Sequence, residues 1–128
     1  MTNGSANWLL GGYSDSGDVS GNSVNVSGGT LSGGVNGGET TSGNATGNSV
    51  DFSNVTATYV QGGYSGSGSA TGNSLALHSG TVQNNAFGGY VDSGSGEASD
   101  NSVTFNGGSV TNNIYGGMSA AGLAQNNS

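Results

Sequence analysis

A chain of 128 residues with 28 glycines, 30% hydrophobic residues and no proline has the length of one domain, yet too little apolar material for an ordinary two-layer core. Seven acids against no lysine or arginine give a formal charge of −7, so no cationic side chain can neutralise phosphate, and nucleic acid and anionic membrane are poor partners. The absence of cysteine excludes disulfides and thiolate metal sites, and no stretch approaches the ~20 apolar residues of a membrane span, so no membrane insertion is expected.

The first segment, MTNGSANWLL, has neither a basic n-region nor a long apolar h-region. An export signal is therefore expected outside this chain, or export by another route. Trp8, Leu9 and Leu10 lead into the first of the corners Gly11-Gly12, Gly37-Gly38, Gly62-Gly63, Gly88-Gly89 and Gly116-Gly117, spaced by 26, 25, 26 and 28 residues. An Asn-Ser pair follows each corner, at Asn22, Asn48, Asn73, Asn101 and Asn127, ten residues on except in the fourth copy, where two inserted residues make it twelve.

Next comes an alternating apolar pair: Val24 and Val26, Val50 and Phe52, Leu75 and Leu77, Val103 and Phe105. Period two predicts a strand with one buried face. A Gly-containing corner and a further apolar residue follow at Leu31, Val82 and Val110; the second copy, SNVTATYV, is one residue short here and its register stays open. A short strand before each Gly pair carries Leu9, Val35, Val60, Ala86 and Ile114, and Val19, Ala45, Ala70, Ala98 and Ala124 stand three residues before each Asn-Ser. Each repeat thus offers about five inward candidates.

Disordered Gly-rich linkers lack such phase-locked apolar positions and usually contain proline. Copies of about 25 residues with short strands and small residues fit a β-solenoid, in which no coil buries its own interior and each stacks on its neighbours. The expected fold is all-β: a parallel β-solenoid (β-helix) of about five coils with ~26 residues per coil, forming one domain over residues 1–128. The repeats run approximately over 11–36, 37–61, 62–87, 88–115 and 116–128, the last being partial and completed by residues 1–10 of a neighbouring subunit. At ~4.8 Å per coil the rod is about 24 Å tall. Helical repeats fit badly because no 3.6-residue apolar stripe survives, and a β-sandwich would not require phase-locked copies.

Stacking accounts for residue choices that burial alone does not. Asn22, Asn48, Asn73, Asn101 and Asn127 are expected to form a column in which each amide bonds to the next, as in cross-β stacks. Glycine at both corner positions suits backbone with positive φ and tight packing on the next coil. Tyr13, Tyr64 and Tyr90 follow the Gly pair directly, with Glu39 and Met118 at the matching places, which predicts an interrupted surface aromatic ladder. Its functional reading is a carbohydrate-stacking surface.

No catalytic residue is expected, and the protein is not expected to be an enzyme. His78, the one histidine, lies on the outward face next to Leu77, and no repeated Ser-His-Asp geometry can be built from it. Asp15 and Asp18, and around the insertion Asp92, Glu97 and Asp100, offer hard oxygen ligands at loop spacing; the latter three are the candidate for one weak calcium site, the sole cofactor considered. The GGxGxDxUx calcium repeat is not matched, because the Gly pairs recur and the Asp does not. Thr46 and Thr71 align, but Ser20 and Ser99 break the row that an ice-binding face would need. No lysine is present to complete a phosphate loop.

The motifs GGYS at 11–14 and 62–65, ATGNSV at 45–50, GGT at 28–30 and YGG at 115–117 resemble the Gly-rich repeats of bacterial surface adhesins, especially passenger regions of type V autotransporters. That resemblance covers almost the whole chain and implies a right-handed parallel β-helix on the cell exterior, with a non-enzymatic, adhesive or matrix role. By analogy, the imperfect Gly/Asn/Ser-rich repeats are also similar to curli-type fibre subunits, although the curli spacing of glutamine is absent, with only Gln61, Gln83 and Gln125 present.

A solenoid has two open ends that isolated proteins cap, and no cap is recognisable here. The last copy stops at Asn127-Ser128, where the others enter their apolar strand, while Met1 to Leu10 supplies the matching remainder. Placed end to end, Ser128 to Gly11 spans eleven steps against thirteen or fourteen within the chain, a shortfall that a chain break accommodates. The expectation is an extracellular or cell-surface structural protein whose partner is itself: a head-to-tail self-assembling filament of a biofilm matrix or surface fibre, joined at Met1, Trp8, Leu9, Leu10, Asn127 and Ser128. The alternative is a piece of an autotransporter-type adhesin that binds host or cell-surface glycans.

Overall fold

Alternating residues with one apolar face need a second layer, and here each coil finds it in the opposite side of its own turn and in the coils above and below. A computed structural model describes all residues, Met1 to Ser128. Its regular structure is entirely β, and every strand pairing is parallel. The third coil shows the plan: a long strand Val60–Ser65, a two-residue strand Ala70–Thr71, a four-residue strand Ser74–Leu77 and a three-residue strand Gly80–Val82. Like strands stack in coil order without crossing, which makes four sheets and a parallel β-solenoid of about five turns, ~26 residues apart.

The register places like residues over one another. Val26, Phe52, Leu77 and Phe105 form one inward column, and Leu9, Val35, Val60, Ala86 and Ile114 another. In the short second copy, Val55 pairs with Gly29 and Gly80, and Ala57 with Val82. Ala57 therefore holds the place of Leu31 and Val82, and the missing residue falls after it, in the turn at Thr58 and Tyr59. The bulky Phe52 shares its coil with this alanine, which keeps the interior volume of successive coils similar.

The interior has two apolar compartments. Twelve buried residues, among them Val26, Phe52, Val60, Leu75 and Leu77, make the larger one, while Ala70, Val91 and Ala98 make a small one beside the two-residue sheet. The asparagine column lies between them. A polar column was not foreseen in the sequence: Thr40, Ser65 and Ser119 turn inward and donate to the carbonyls of Gly17, Gly43 and Gly96 at 2.9, 2.8 and 2.8 Å. In the fourth coil Val91 takes that place.

The Gly pairs differ from expectation in two ways. Four of the five stand inside six-residue strands, and Gly11-Gly12 lies between the short strands Leu9–Leu10 and Tyr13–Ser14, so they are not corners, and none of the paired glycines has a positive φ. What they supply is room: a Cβ on Gly62 would lie 2.4 Å from the Gly88 carbonyl oxygen, and one on Gly63 would lie 2.3 Å from Asn73 Cγ. The left-handed backbone occurs one residue before each ladder asparagine, at Gly21 (65°), Gly47 (62°), Gly72 (64°), Asp100 (57°) and Asn126 (55°). Only glycine, asparagine and aspartate adopt that conformation routinely, and those are the residues present.

Candidate functional site

The asparagine column is a directional ladder. The backbone N–H and Nδ2 of Asn22 both donate to Asn48 Oδ1, each at 3.0 Å. The same two-pronged bond joins Asn48 to Asn73 at 2.9 and 3.0 Å, Asn73 to Asn101 at 2.9 and 3.0 Å, and Asn101 to Asn127 at 2.9 and 3.1 Å. The second Nδ2 proton donates across the preceding coil, from Asn73 to the Ala45 carbonyl at 2.9 Å and from Asn127 to that of Ala98 at 2.8 Å. Asn48 and Asn73 are fully buried, so each rung removes polar groups from water only where partners are in place. In every asparagine-to-asparagine rung the donors belong to the N-terminal member and the acceptor to the C-terminal one. The ladder therefore ends in an open acceptor, Asn22 Oδ1, on one face and in open donors at Asn127 on the other.

The terminal regions of the chain also carry the exposed apolar side chains. The exposed large hydrophobic side chains are Trp8, Leu10 and Tyr13 in the first coil and Phe105, Ile114 and Leu123 in the last, all at least 41% accessible. Phe105 and Ile114 continue core columns whose internal members are buried, so this end shows cut interior. Met1 and Leu9 pack against the main core. The terminal amine of Met1 donates to the Asn25 carbonyl at 2.7 Å, and the Ser128 carbonyl accepts from Val103 N–H at 2.8 Å.

A groove of about 330 Å³ opens on the outer face of the long sheet. Its deepest polar side chains are Asn36 and Gln61, which are 2% and 5% accessible, and their oxygens Oδ1 and Oε1 have no hydrogen-bond partner. Tyr59, Tyr64, Phe87 and Tyr90 supply aromatic walls. Phe87 stacks on Tyr90 with centroids 4.7 Å apart and 18° between planes, and Tyr64 lies 5.8 Å from Tyr90. Glu39 accepts from Asn36 Nδ2 at 2.6 Å. On the remaining side, Asn84 and Asn85 direct their oxygens to the next coil, accepting from Asn112 Nδ2 at 2.6 Å and Asn113 N–H at 3.1 Å.

Burial, followed by the negative charge of Glu39, pushes the Tyr59 phenol up to about 12. Burial and then the hydrogen bond to Asp92, 2.8 Å long, push Tyr90 up to about 12 as well. Tyr64 is raised chiefly by burial. All three therefore stay neutral, as O–H groups, at physiological pH.

Of the tyrosines expected to form one ladder, the structure joins Tyr64 to Tyr90 only. Glu39 separates Tyr64 from Tyr13, which is exposed and donates to Asp15, a bond that raises its phenol. The aromatic row continues instead through Phe87 to Tyr115, stacked 5.2 Å apart at 10°. These two residues were missed because they precede the Gly pair, in the column Leu10, Asn36, Gln61, Phe87 and Tyr115, whose members share no residue class. Asp92, Glu97 and Asp100 do not converge: Asp92 is held by Tyr90, Asp100 sits in the left-handed turn before Asn101, and no cluster of metal-ligating side chains forms. His78 Nε2 lies 3.7 Å from an Asp51 carboxylate oxygen, an ion pair only when the imidazole is protonated.

No protein-family model, curated protein or solved structure matches this chain.

Proposed function

We propose that this chain is a subunit of an extracellular or cell-surface structural filament, formed by head-to-tail stacking of solenoids. The observation that carries the reading is the complementarity of its two ends: a polar ladder that presents donors at Asn127 and an acceptor at Asn22, with core columns left exposed at Phe105 and Ile114 on one side and Met1 and Leu9 only half-buried against the core on the other. Continued in register, Leu10 of the next copy falls over Tyr115, Leu9 over Ile114, Tyr13 over Met118 and Asn22 over Asn127, because the same columns already hold these residues within the chain. Burying cut core columns gains about 25 cal/mol per Å² of apolar area, and each added rung satisfies groups that are otherwise left to water. Copies meeting like face to like face would oppose donor to donor or acceptor to acceptor.

The acidic, lysine-free surface keeps the sides of such rods apart at low salt, so growth along the axis is favoured over lateral clumping. A matrix or surface fibre needs no catalytic constellation, only a stable repeat with adhesive ends. Electron microscopy of the purified chain over a range of concentrations should show unbranched filaments. Trp8→Asp and Leu123→Asp should each abolish them while leaving the circular dichroism of the monomer unchanged. Monomers at every concentration would overturn the proposal.

A further inference from the structure

We propose that the groove on the long sheet is a binding site for a neutral saccharide, an occupant that the end-to-end filament neither requires nor blocks. Asn36 and Gln61 line it, and their amide oxygens Oδ1 and Oε1, shut off from solvent in the empty groove, have no hydrogen-bond partner, a cost that a ligand donor would relieve once the amide turned toward it. The ligand must therefore carry hydrogen-bond donors. It must accept as well, because Asn84 and Asn85 have committed their oxygens to the next coil and retain their amide N–H groups for the groove. Hydroxyl groups do both.

The aromatic walls decide between the chemistries that remain. Tyr64 and Tyr90 present ring surface suited to the C–H side of a pyranose, with the buried Phe87 stacked behind Tyr90, and both phenols are neutral, that of Tyr90 donating to Asp92. An alkylammonium would gain from the same rings and from Glu39, but it would meet the amide N–H groups and leave their hydrogen bonds unmade. An acidic sugar would face Glu39 and a chain with a formal charge of −7 and no lysine or arginine. A cavity of about 330 Å³ holds one or two sugar rings. The site exists because the repeats diverge here: the shortened turn places Tyr59 over Gly34, where a Cβ would lie 2.5 Å from its ring, and the column before the Gly pair switches from amides to Phe87.

The test is a glycan array of neutral and acidic oligosaccharides, followed by saturation-transfer NMR and calorimetric titration with the neutral glycan bound best, and with sialyllactose and choline as charged comparators. A neutral glycan should bind saturably. Gln61→Leu and Tyr90→Ala should each weaken it by about tenfold or more, while Tyr13→Ala, outside the groove, leaves it unchanged. Gln61→Leu should keep the wild-type melting temperature or raise it, since it removes an unpaired buried acceptor, so its loss of binding is not a loss of fold. Leu123→Asp, which lies away from the groove, should bind as the wild type does, separating ligand recognition from assembly. The proposal is overturned if no neutral glycan on the array binds, if binding survives Gln61→Leu, or if choline or sialyllactose binds more tightly than every neutral glycan.

Discussion

Asn73 shows what one residue contributes to this fold. Its replacement by alanine leaves the Asn48 N–H and one Asn48 amide proton without partners in a dry interior and takes the side-chain donor from the Ala45 carbonyl. At about 1–3 kcal/mol for each buried polar group, Asn73→Ala should destabilise the chain by about 3 kcal/mol or more, measured by urea unfolding. Gly63→Ala should be comparably damaging, since its Cβ would lie 2.3 Å from Asn73 Cγ. A tolerated alanine there would contradict the packing of glycine on the ladder. The asparagine column was legible in the sequence because it recurs at fixed phase with one residue type. The reason for the glycine pairs was not: composition reports that a Cβ is absent, but a positive φ and a close approach leave the same mark, and only the coordinates separate them. The hydroxyl column of Thr40, Ser65 and Ser119 escaped notice because serine and threonine are so abundant that one inward position among them carries no contrast.

The tyrosines give a residue-level prediction with a sign. Tyr59 and Tyr90 hold their protons to about pH 12 when folded, whereas the unfolded phenols titrate near the ordinary value of about 10. Folding is therefore unaffected by these groups below pH 10. Above it the unfolded state loses protons that the native state retains, and stability falls as pH rises from about 10 toward 12. Thermal melts across that window should show the fall, and Tyr59→Phe with Tyr90→Phe should flatten it. A loss of stability that begins well below pH 9 and persists in the double variant would contradict this assignment.

At the scale of elements, the strands are short and each is secure only because another lies on both sides of it. Residues of the second and third coils, such as Phe52, Val60, Leu75 and Leu77, are buried to 1% or less, while Phe105 and Ile114 of the last coil are exposed to 47% and 41%. Hydrogen exchange should thus be slowest for amides of Val35–Thr40 and Val60–Ser65 and fastest for Ile114–Ser119 and Leu9–Leu10. Uniform protection from end to end in a monomeric sample would indicate ends covered in some other way. Period two and phase-locked markers made the four-residue strands and the parallel stacking readable in advance. The register of the second copy was not readable, because Val55, Thr56 and Ala57 can be slid by one residue without changing the pattern's quality; pairing with Gly80, Thr81 and Val82 selects one alignment. Of the groove, the sequence displayed Tyr64 and Tyr90 but not the floor. Asn36 and Gln61 matter through burial without partners, a property that no spacing encodes.

At the scale of the whole molecule, the repeats that make the fold cooperative also leave it open at both ends. Each internal coil is covered twice and each end coil once. The uncovered faces match in column order, in apolar content and in the direction of the ladder. Shape alone would permit other contacts, but a polar ladder with unlike ends permits only one continuation that keeps its donors on acceptors. Fibre diffraction with electron microscopy on the purified chain measures that continuation directly. Filaments with a coil spacing of ~4.8 Å along the axis and an axial subunit repeat of about 24 Å are expected. Monomers at all concentrations, or fibres whose strands run along the axis, would contradict it.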